Sequence, residues 1–105
     1  MTECYVRGVE VTRKQSLKAM HILYHYGARS QMLKCCEELS ELEAAILKHL
    51  NKDGNNTEEV LDEMADVYIM LEQMKNVFPF GENVLADRID YKLNRQAQRI
   101  LNAKK

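Results

Sequence analysis

Helix-breaking residues stand at only a few places in this chain, and apolar residues recur between them every three or four positions. The single proline is Pro79, and the four glycines are Gly8, Gly27, Gly54 and Gly81. The segments between these breakers have the spacing of helices that bury one face, and none has the alternation of a strand. The sequence therefore predicts an all-α fold of four helices, over residues 12–26, 29–51, 57–77 and 82–103.

Length and charge narrow the possible classes of protein. The 105 residues suit one domain spanning 1–105, and 15 basic against 16 acidic side chains leave no basic field for a nucleic-acid polymer. No apolar run is long enough for a membrane, and the N-terminus lacks the apolar core of a signal peptide. The three cysteines are Cys4 and the neighbours Cys35 and Cys36, whose side chains point roughly 100° apart on a helix. We therefore expect a reduced, cytoplasmic protein without a membrane partner.

Two acidic pairs stand at helical spacing in the second and third predicted helices. Glu38 and Glu41 are three residues apart, as are Glu63 and Asp66, so each pair lies on one face of its helix. If these helices pack antiparallel, the four carboxylates converge. Such a cluster repels itself unless a cation occupies it, and hard carboxylate oxygens favour Mg²⁺ or Mn²⁺. The sequence therefore predicts a divalent-metal site.

A solvated acidic face is the ordinary alternative, because Glu-rich helices usually carry their acids toward water. The apolar neighbours of the acids favour the metal site. Glu63 and Asp66 border an apolar stripe on the third helix, and burying an unpaired carboxylate is costly. That stripe consists of Val60, Met64, Val67 and Leu71. On the second helix, the residues that we expect to face inward are Met32, Cys35, Cys36, Leu39, Leu42, Ile46 and Leu50.

Two other metal-site patterns fit the sequence less well. His21 and His25 have a zinc-compatible spacing, but Ile22 stands where the zincin pattern requires a glutamate. Di-iron bundles need Glu-x-x-His on two helices, and Glu41 and Asp66 occupy the histidine positions here. Both comparisons favour a site built only from carboxylates.

The acidic pairs also resemble a known motif. Glu37-Glu38-x-x-Glu41 followed by Glu63-x-x-Asp66 is similar to the EExxE and ExxD signature of the MazG-like, all-α nucleoside triphosphate pyrophosphohydrolases. Residues 31–42 and 63–73 look like the two motif helices of that family. Residues 92–96 are similar to the basic segment of its small phage-type and Firmicute-type members. The resemblance covers roughly residues 28–100.

The resemblance implies a fold, an activity and a set of site residues. Family members form four-helix bundles that assemble as dimers or dimers of dimers. They hydrolyse a nucleoside triphosphate, here a dNTP or modified NTP, to the monophosphate and pyrophosphate in nucleotide-pool housecleaning. Glu38, Glu41, Glu63 and Asp66 would hold Mg²⁺, with Mn²⁺ possible. Glu37 and Glu38 would be catalytic, with Glu37 either orienting a metal ligand or acting as base for the attacking water.

Other residues are candidates for binding the phosphates, base and sugar of the nucleotide. Lys34, Lys92 and Arg95 could carry the remaining phosphate charge, with a solvated basic face as the alternative. Tyr68 and Tyr24 could shape the base and sugar pocket, with core packing as the alternative. The rival function is a non-catalytic helical dimer that binds a nucleotide or a protein partner and keeps the acids without using them.

Overall fold

The computed structural model describes residues 10–51 and 54–104, and all regular structure in these two ranges is helical. The all-α prediction is therefore confirmed, and each helix boundary falls within two residues of its predicted place. Cys4 and the N-terminal segment, used above to infer the compartment, lie outside the described residues, as do two residues of the loop at 52–53. No described helix could cross a membrane. The helices are α1 (Arg13–Tyr26), α2 (Ala28–Asn51), α3 (Thr57–Val77) and α4 (Val84–Ala103).

The start and end of α1 follow from local chemistry. The Thr12 hydroxyl accepts from the Gln15 backbone N–H at 3.1 Å, and the Gln15 side chain accepts from the Thr12 N–H at 2.9 Å. This reciprocal capping box satisfies two backbone donors that have no partner inside the helix. Gly27 alone separates α1 from α2, and its φ of 94° lies in a region that other residues adopt only with strain. The sharp corner between the two helices therefore depends on this glycine.

Contacts at both ends show that α2 and α3 are antiparallel. Near the start of α2, the Gln31 amide donates to the Gln73 carbonyl oxygen at 2.9 Å, close to the end of α3. Near the other end, Asn56 precedes α3 and donates to the Ala45 carbonyl oxygen at 3.1 Å. The Asn56 amide also donates to Glu59 at 3.2 Å, although it makes no side-chain capping bond to α3. These contacts fix the register in which the acidic faces of α2 and α3 meet.

The core lies between α2 and α3, with α1 packed against both helices. The face of α2 that is buried against α3 is not the one predicted from apolar spacing. Cys35 is buried as expected, but Cys36 and the apolar stripe of α2 remain exposed. The buried face lies about a quarter turn away, and it includes polar side chains. The exposed stripe is Met32, Leu39, Ile46 and Leu50, whereas the buried positions are Gln31, Cys35, Glu38 and Ala45.

The fourth helix stands apart from the other three. Every residue of α4 is exposed, and among the described residues it makes no packing contact with α1, α2 or α3. The segment before it contains Pro79 and ends at Asn83, whose φ of 71° turns the chain into α4. The bundle formed within one chain therefore has three helices, and α4 is not part of it.

Candidate metal centre

Three of the predicted metal ligands converge where α2 and α3 face each other. Glu38, Glu41 and Glu63 each offer a carboxylate oxygen, and these oxygens lie within 4.8 Å of one another. Glu38 is only 5% exposed, whereas Glu63 is half-buried and Glu41 is exposed. The cluster therefore has a buried floor and an open side. Three carboxylate oxygens this close together could hold a metal ion.

Two oxygens at this site lack a hydrogen-bond partner among the described residues. Glu38 Oε1 and Glu63 Oε1 are both buried, and neither accepts a hydrogen bond. Buried polar atoms in folded proteins are nearly always satisfied, because an unpaired buried oxygen loses its hydration without compensation. A cation between the two carboxylates would supply the missing interaction. The residues therefore fit a hard divalent ion such as Mg²⁺ or Mn²⁺.

The electrostatics of the cluster point the same way. Burial raises the pKa of Glu63 above its usual value, and the negative charges of Glu41, Asp66 and Glu38 raise it further. Burial also raises the pKa of Asp66, and the negative charge of Glu38 raises it further. Both carboxyl groups therefore hold protons more tightly than free side chains do. Either a proton or a bound cation relieves the repulsion.

Asp66 is the predicted ligand that does not join the group of three. Its side chain is exposed, and Asp66 is not one of the residues whose carboxylate oxygens lie within 4.8 Å of one another. It lies one turn beyond Glu63 on the same side of α3, as the ExxD spacing requires. The structure thus places Asp66 at the edge of the site.

Lys34 lies beside the acids. Its Nζ is 3.0 Å from Glu38 Oε2 and 3.9 Å from Glu37 Oε1. The hydrogen bond and the charge of Glu38 raise the pKa of Lys34, so its ammonium stays charged. The lysine side chain is 51% exposed and that of Glu37 is 66% exposed, so both can meet a ligand that approaches from solvent. Of the predicted phosphate-binding residues, Lys34 is therefore at the acidic site.

The structure does not bring the other predicted phosphate ligands to this site within one chain. Lys92 and Arg95 lie on α4, which has no packing contact with the acidic helices. The Arg95 guanidinium carbon instead lies 5.7 Å from the centroid of the Tyr91 ring on the same helix. Any contribution of Lys92 or Arg95 to the acidic site requires an assembly that brings α4 to it.

The two candidate tyrosines also lie away from the acids. Tyr24 is 72% exposed on α1, which excludes the core-packing alternative for this residue. Tyr68 is 40% exposed and lines a groove between α1 and α3. It follows Asp66 by two residues and so points about 200° away from it around the helix axis. The structure therefore places Tyr68 on the face of α3 that turns away from the acidic cluster.

Two buried glutamines beside the site were missed by the sequence reasoning. Gln73 is fully buried and accepts a hydrogen bond from Gln31, while its own amide nitrogen has no partner among the described residues. Gln31 lies one turn before Cys35 and two turns before Glu38, on the buried face of α2. This spacing is the signal that could have identified it, but glutamine in a charged helix usually faces water.

The histidine pair of α1 lies outside the group of converging ligands. His21 and His25 are both exposed. Among the described residues, only the three glutamates form a group of three potential ligand atoms close enough together for one ion.

Comparisons of the chain with protein-family models, with curated proteins and with solved structures find no significant match. The resemblance to the MazG-like enzymes therefore rests on the two acidic motifs and their helical context. What the chain does has to be inferred from its own residues and their geometry.

Proposed function

We propose that this chain is a Mg²⁺-dependent nucleoside triphosphate pyrophosphohydrolase that acts on a dNTP or modified NTP in nucleotide-pool housecleaning. The observation that carries the proposal is the convergence of Glu38, Glu41 and Glu63, two of which bury an oxygen that has no hydrogen-bond partner in the described part of the chain. The spacing of the acidic motifs, which resembles the signature of the MazG-like enzymes, supports the same function. The open side of the cluster gives a substrate access from solvent.

The charge of the site selects a class of substrate. A cluster of carboxylates repels a bare triphosphate, so the acids alone cannot bind one. Bound Mg²⁺ would neutralise the phosphates, polarise the α-phosphate and orient a water for attack. Glu38, Glu41 and Glu63 would hold the metal. Asp66, one turn beyond Glu63 on α3, would add a ligand at the edge of the cluster.

Glu37 and Lys34 are candidates for the two other roles in the reaction, the base and the phosphate contact. The Glu37 carboxylate is exposed and lies 3.9 Å from Lys34 Nζ, which itself contacts Glu38, so Glu37 could accept a proton from an attacking water. Lys34 already carries a positive charge beside Glu38, and its exposed half lets the ammonium turn toward a phosphate oxygen. We therefore assign Glu37 as the base and Lys34 as the phosphate contact within this chain.

The decisive test is a pyrophosphate release assay with a panel of NTPs and dNTPs. With Mg²⁺ present, at least one nucleotide should yield equal amounts of monophosphate and pyrophosphate, and removal of Mg²⁺ with a chelator should stop the reaction. Glu38→Gln should abolish release. Glu43→Gln should not, because Glu43 is an exposed acid of the same helix outside the cluster.

Each negative result has a defined meaning. If no nucleotide yields pyrophosphate, the chain is not this enzyme, and the non-catalytic binding role takes its place. If Glu38→Gln and Glu43→Gln retain equal activity, pyrophosphate release occurs elsewhere and the carboxylate cluster is not the active site.

A further inference from the structure

Helix α4 presents an apolar stripe that none of the other described residues of its chain covers. Leu85, Ile89, Leu93 and Ile100 recur at helical spacing, and all four are between 44 and 62% exposed. In water an isolated helix is marginally stable, and most helix stability in proteins comes from packing an apolar face. A 20-residue helix of this composition therefore needs a surface to pack against.

The accessible surface area and radius of gyration of the chain indicate how much surface is available for burial against a partner. Its accessible surface is 8608 Å² for a mass of 12.2 kDa, about 2,500 Å² more than the ~6,100 Å² of a compact monomer of that mass. Its radius of gyration is 16.9 Å, whereas a compact domain of this length has about 13 Å. A stable interface buries about 800 Å² on each partner. The excess accessible surface is therefore larger than the area that one such interface would bury on this chain.

A groove on the three-helix bundle is apolar, like the stripe of α4. It lies between α1 and α3, has a volume of about 510 Å³ and is lined mainly by apolar side chains. It occurs on the face of α3 that turns away from α2, so it does not overlap the acidic cluster. Its principal apolar residues are Ala19, Ile22, Leu61, Met64, Tyr68 and Ile69.

The charges beside the two surfaces are complementary on the α3 side of the groove, whereas Lys18 lines its α1 side. Helix α3 carries six acidic residues and a single lysine, and its exposed acids Glu58 and Asp62 border the groove at helical spacing from Leu61 and Ala65. Helix α4 carries a line of cations beside its apolar stripe. Packing the stripe into the groove would set this positive line against the acidic border. The cations are Arg88, Lys92, Arg95 and Arg99.

We propose that α4 of one chain packs into the α1–α3 groove of a second copy, and that the second copy returns its own α4 in the same way. This exchange gives a two-fold dimer in which each contact is made twice. The helix has no packing contact with the three other helices that the structure describes, and a second copy offers the identical groove with an acidic border on its α3 side. The exchange does not depend on the proposed enzymatic activity.

Two charge substitutions test the exchange. Leu93→Glu places a charge in the stripe, and Ile69→Glu places one in the groove; both residues are exposed in the single chain, so the helices should still form. The wild type should sediment at about twice 12.2 kDa, and each variant alone at about 12.2 kDa. Gln98→Glu is the matched control, because Gln98 lies on the opposite side of α4, and it should remain dimeric.

Mixing the two variants separates exchange from other arrangements. A mixed pair can form one intact contact, in which the unchanged α4 of the Ile69→Glu chain enters the unchanged groove of the Leu93→Glu chain. Dimer should therefore reappear in the mixture, while circular dichroism shows that both variants stay helical. A monomeric wild type, a Leu93→Glu variant that remains dimeric, or a mixture that stays monomeric would each overturn the proposal. A monomeric wild type would indicate that α4 docks on its own chain or on nothing, whereas a mixture that stays monomeric would indicate that the dimer does not form by exchange of α4.

Discussion

Glu38 pairs one carboxylate oxygen with Lys34, whereas its other oxygen is buried with no partner among the described residues. Lys34 Nζ lies 3.0 Å from Glu38 Oε2, and no described residue donates a hydrogen bond to Glu38 Oε1. The lysine satisfies only one side of the carboxylate. The other side belongs to the cluster with Glu41 and Glu63, where like charges accumulate. A bound cation is the group that would complete this arrangement.

Substitution of Glu38 tests whether this residue is a metal ligand or a residue that stabilises the fold. Glu38→Gln should lower turnover at least about 100-fold, since loss of even an outer partner of a metal site costs roughly 10- to 100-fold. The metal-free variant should melt at the same temperature as the wild type or higher, because one charge leaves a repelling group. Calorimetry without metal and pyrophosphate release with Mg²⁺ measure the two effects. A large loss of metal-free stability would instead mean that Glu38 holds the fold together.

Addition of Mg²⁺ should stabilise the folded protein. An ion that binds only the folded state adds about 2.7 kcal/mol at a concentration 100 times its Kd, and each kcal/mol raises the Tm of a domain this small by roughly 4–8 °C. Glu63→Gln should reduce the shift, because Glu63 supplies one of the three converging oxygens. The same Tm rise in a solution of NaCl at matched ionic strength would show that screening, and not a metal site, causes it.

The pH dependence of metal-free stability should carry the signature of Glu63. Its pKa is raised in the folded state by burial and by neighbouring acids, so the folded protein binds that proton more tightly than the unfolded chain does. Stability from this group is therefore greatest at low pH and falls as pH rises from about 4, the ordinary carboxyl value, through the raised pKa. Urea unfolding between pH 4 and 7 should show this decline.

Glu63→Gln supplies the comparison for that experiment. The free energy of unfolding of the variant should lack the decline contributed by Glu63. The variant should therefore become more stable relative to the wild type as pH rises. Subtracting the two profiles removes the contributions of groups such as Glu59, whose pKa is lowered by its contact with Lys48 and so acts in the opposite direction. Parallel profiles would show that Glu63 is not under electrostatic strain.

Sequence reasoning identified the helices because their boundaries are local. Thr12 with Gln15 starts α1, and Gly27 makes the corner to α2, and both signals lie within a few residues of the boundary they set. The convergence of the acids also followed from spacing, once α2 and α3 were taken as antiparallel. Asp66 differs, because its spacing places it on the same side of α3 as Glu63 but does not say whether its side chain reaches the other carboxylates.

The orientation of α2 and the position of α4 could not be obtained in the same way. Two stripes a quarter turn apart compete on α2, and periodicity favours the more apolar one, which contains Leu39. The stripe that packs on α3 instead contains Gln31 and Glu38, because a hydrogen bond to Gln73 and the acidic site lie at that interface. For α4, an apolar stripe predicts burial but does not say which chain provides the partner surface.

The contact between α1 and α3 should depend on a short hydrogen bond. The Ser16 hydroxyl donates to Glu72 Oε2 at 2.6 Å, and Lys75 approaches the other oxygen at 3.1 Å. The bond from Ser16 is the main cause that lowers the pKa of Glu72, ahead of its contact with Lys75. Ser16→Ala should cost about 1.5–3 kcal/mol, as expected for a hydrogen bond to a charged group. Ser40→Ala, at an exposed site on α2, should change stability little.

The same bond should have a pH signature opposite to that of Glu63. Because the folded pKa of Glu72 is lowered, its contribution is present above the ordinary carboxyl value and is lost as pH falls through the lowered folded value. The stability difference between wild type and Ser16→Ala should therefore shrink in acid. A difference that is constant down to pH 3 would mean that the hydroxyl acts through packing alone.

Tyr68 distinguishes a nucleotide pocket from a protein interface. It lines the groove between α1 and α3 and points away from the acids on the same helix. Tyr68→Ala should therefore weaken the dimer and leave the KM for the nucleotide unchanged when both are measured at a concentration that keeps the variant dimeric. Tyr24→Ala is the matched control, because Tyr24 is 72% exposed and does not line that groove, and it should change neither quantity. A raised KM in a variant that dimerises normally would instead place Tyr68 in the pocket for the base or sugar.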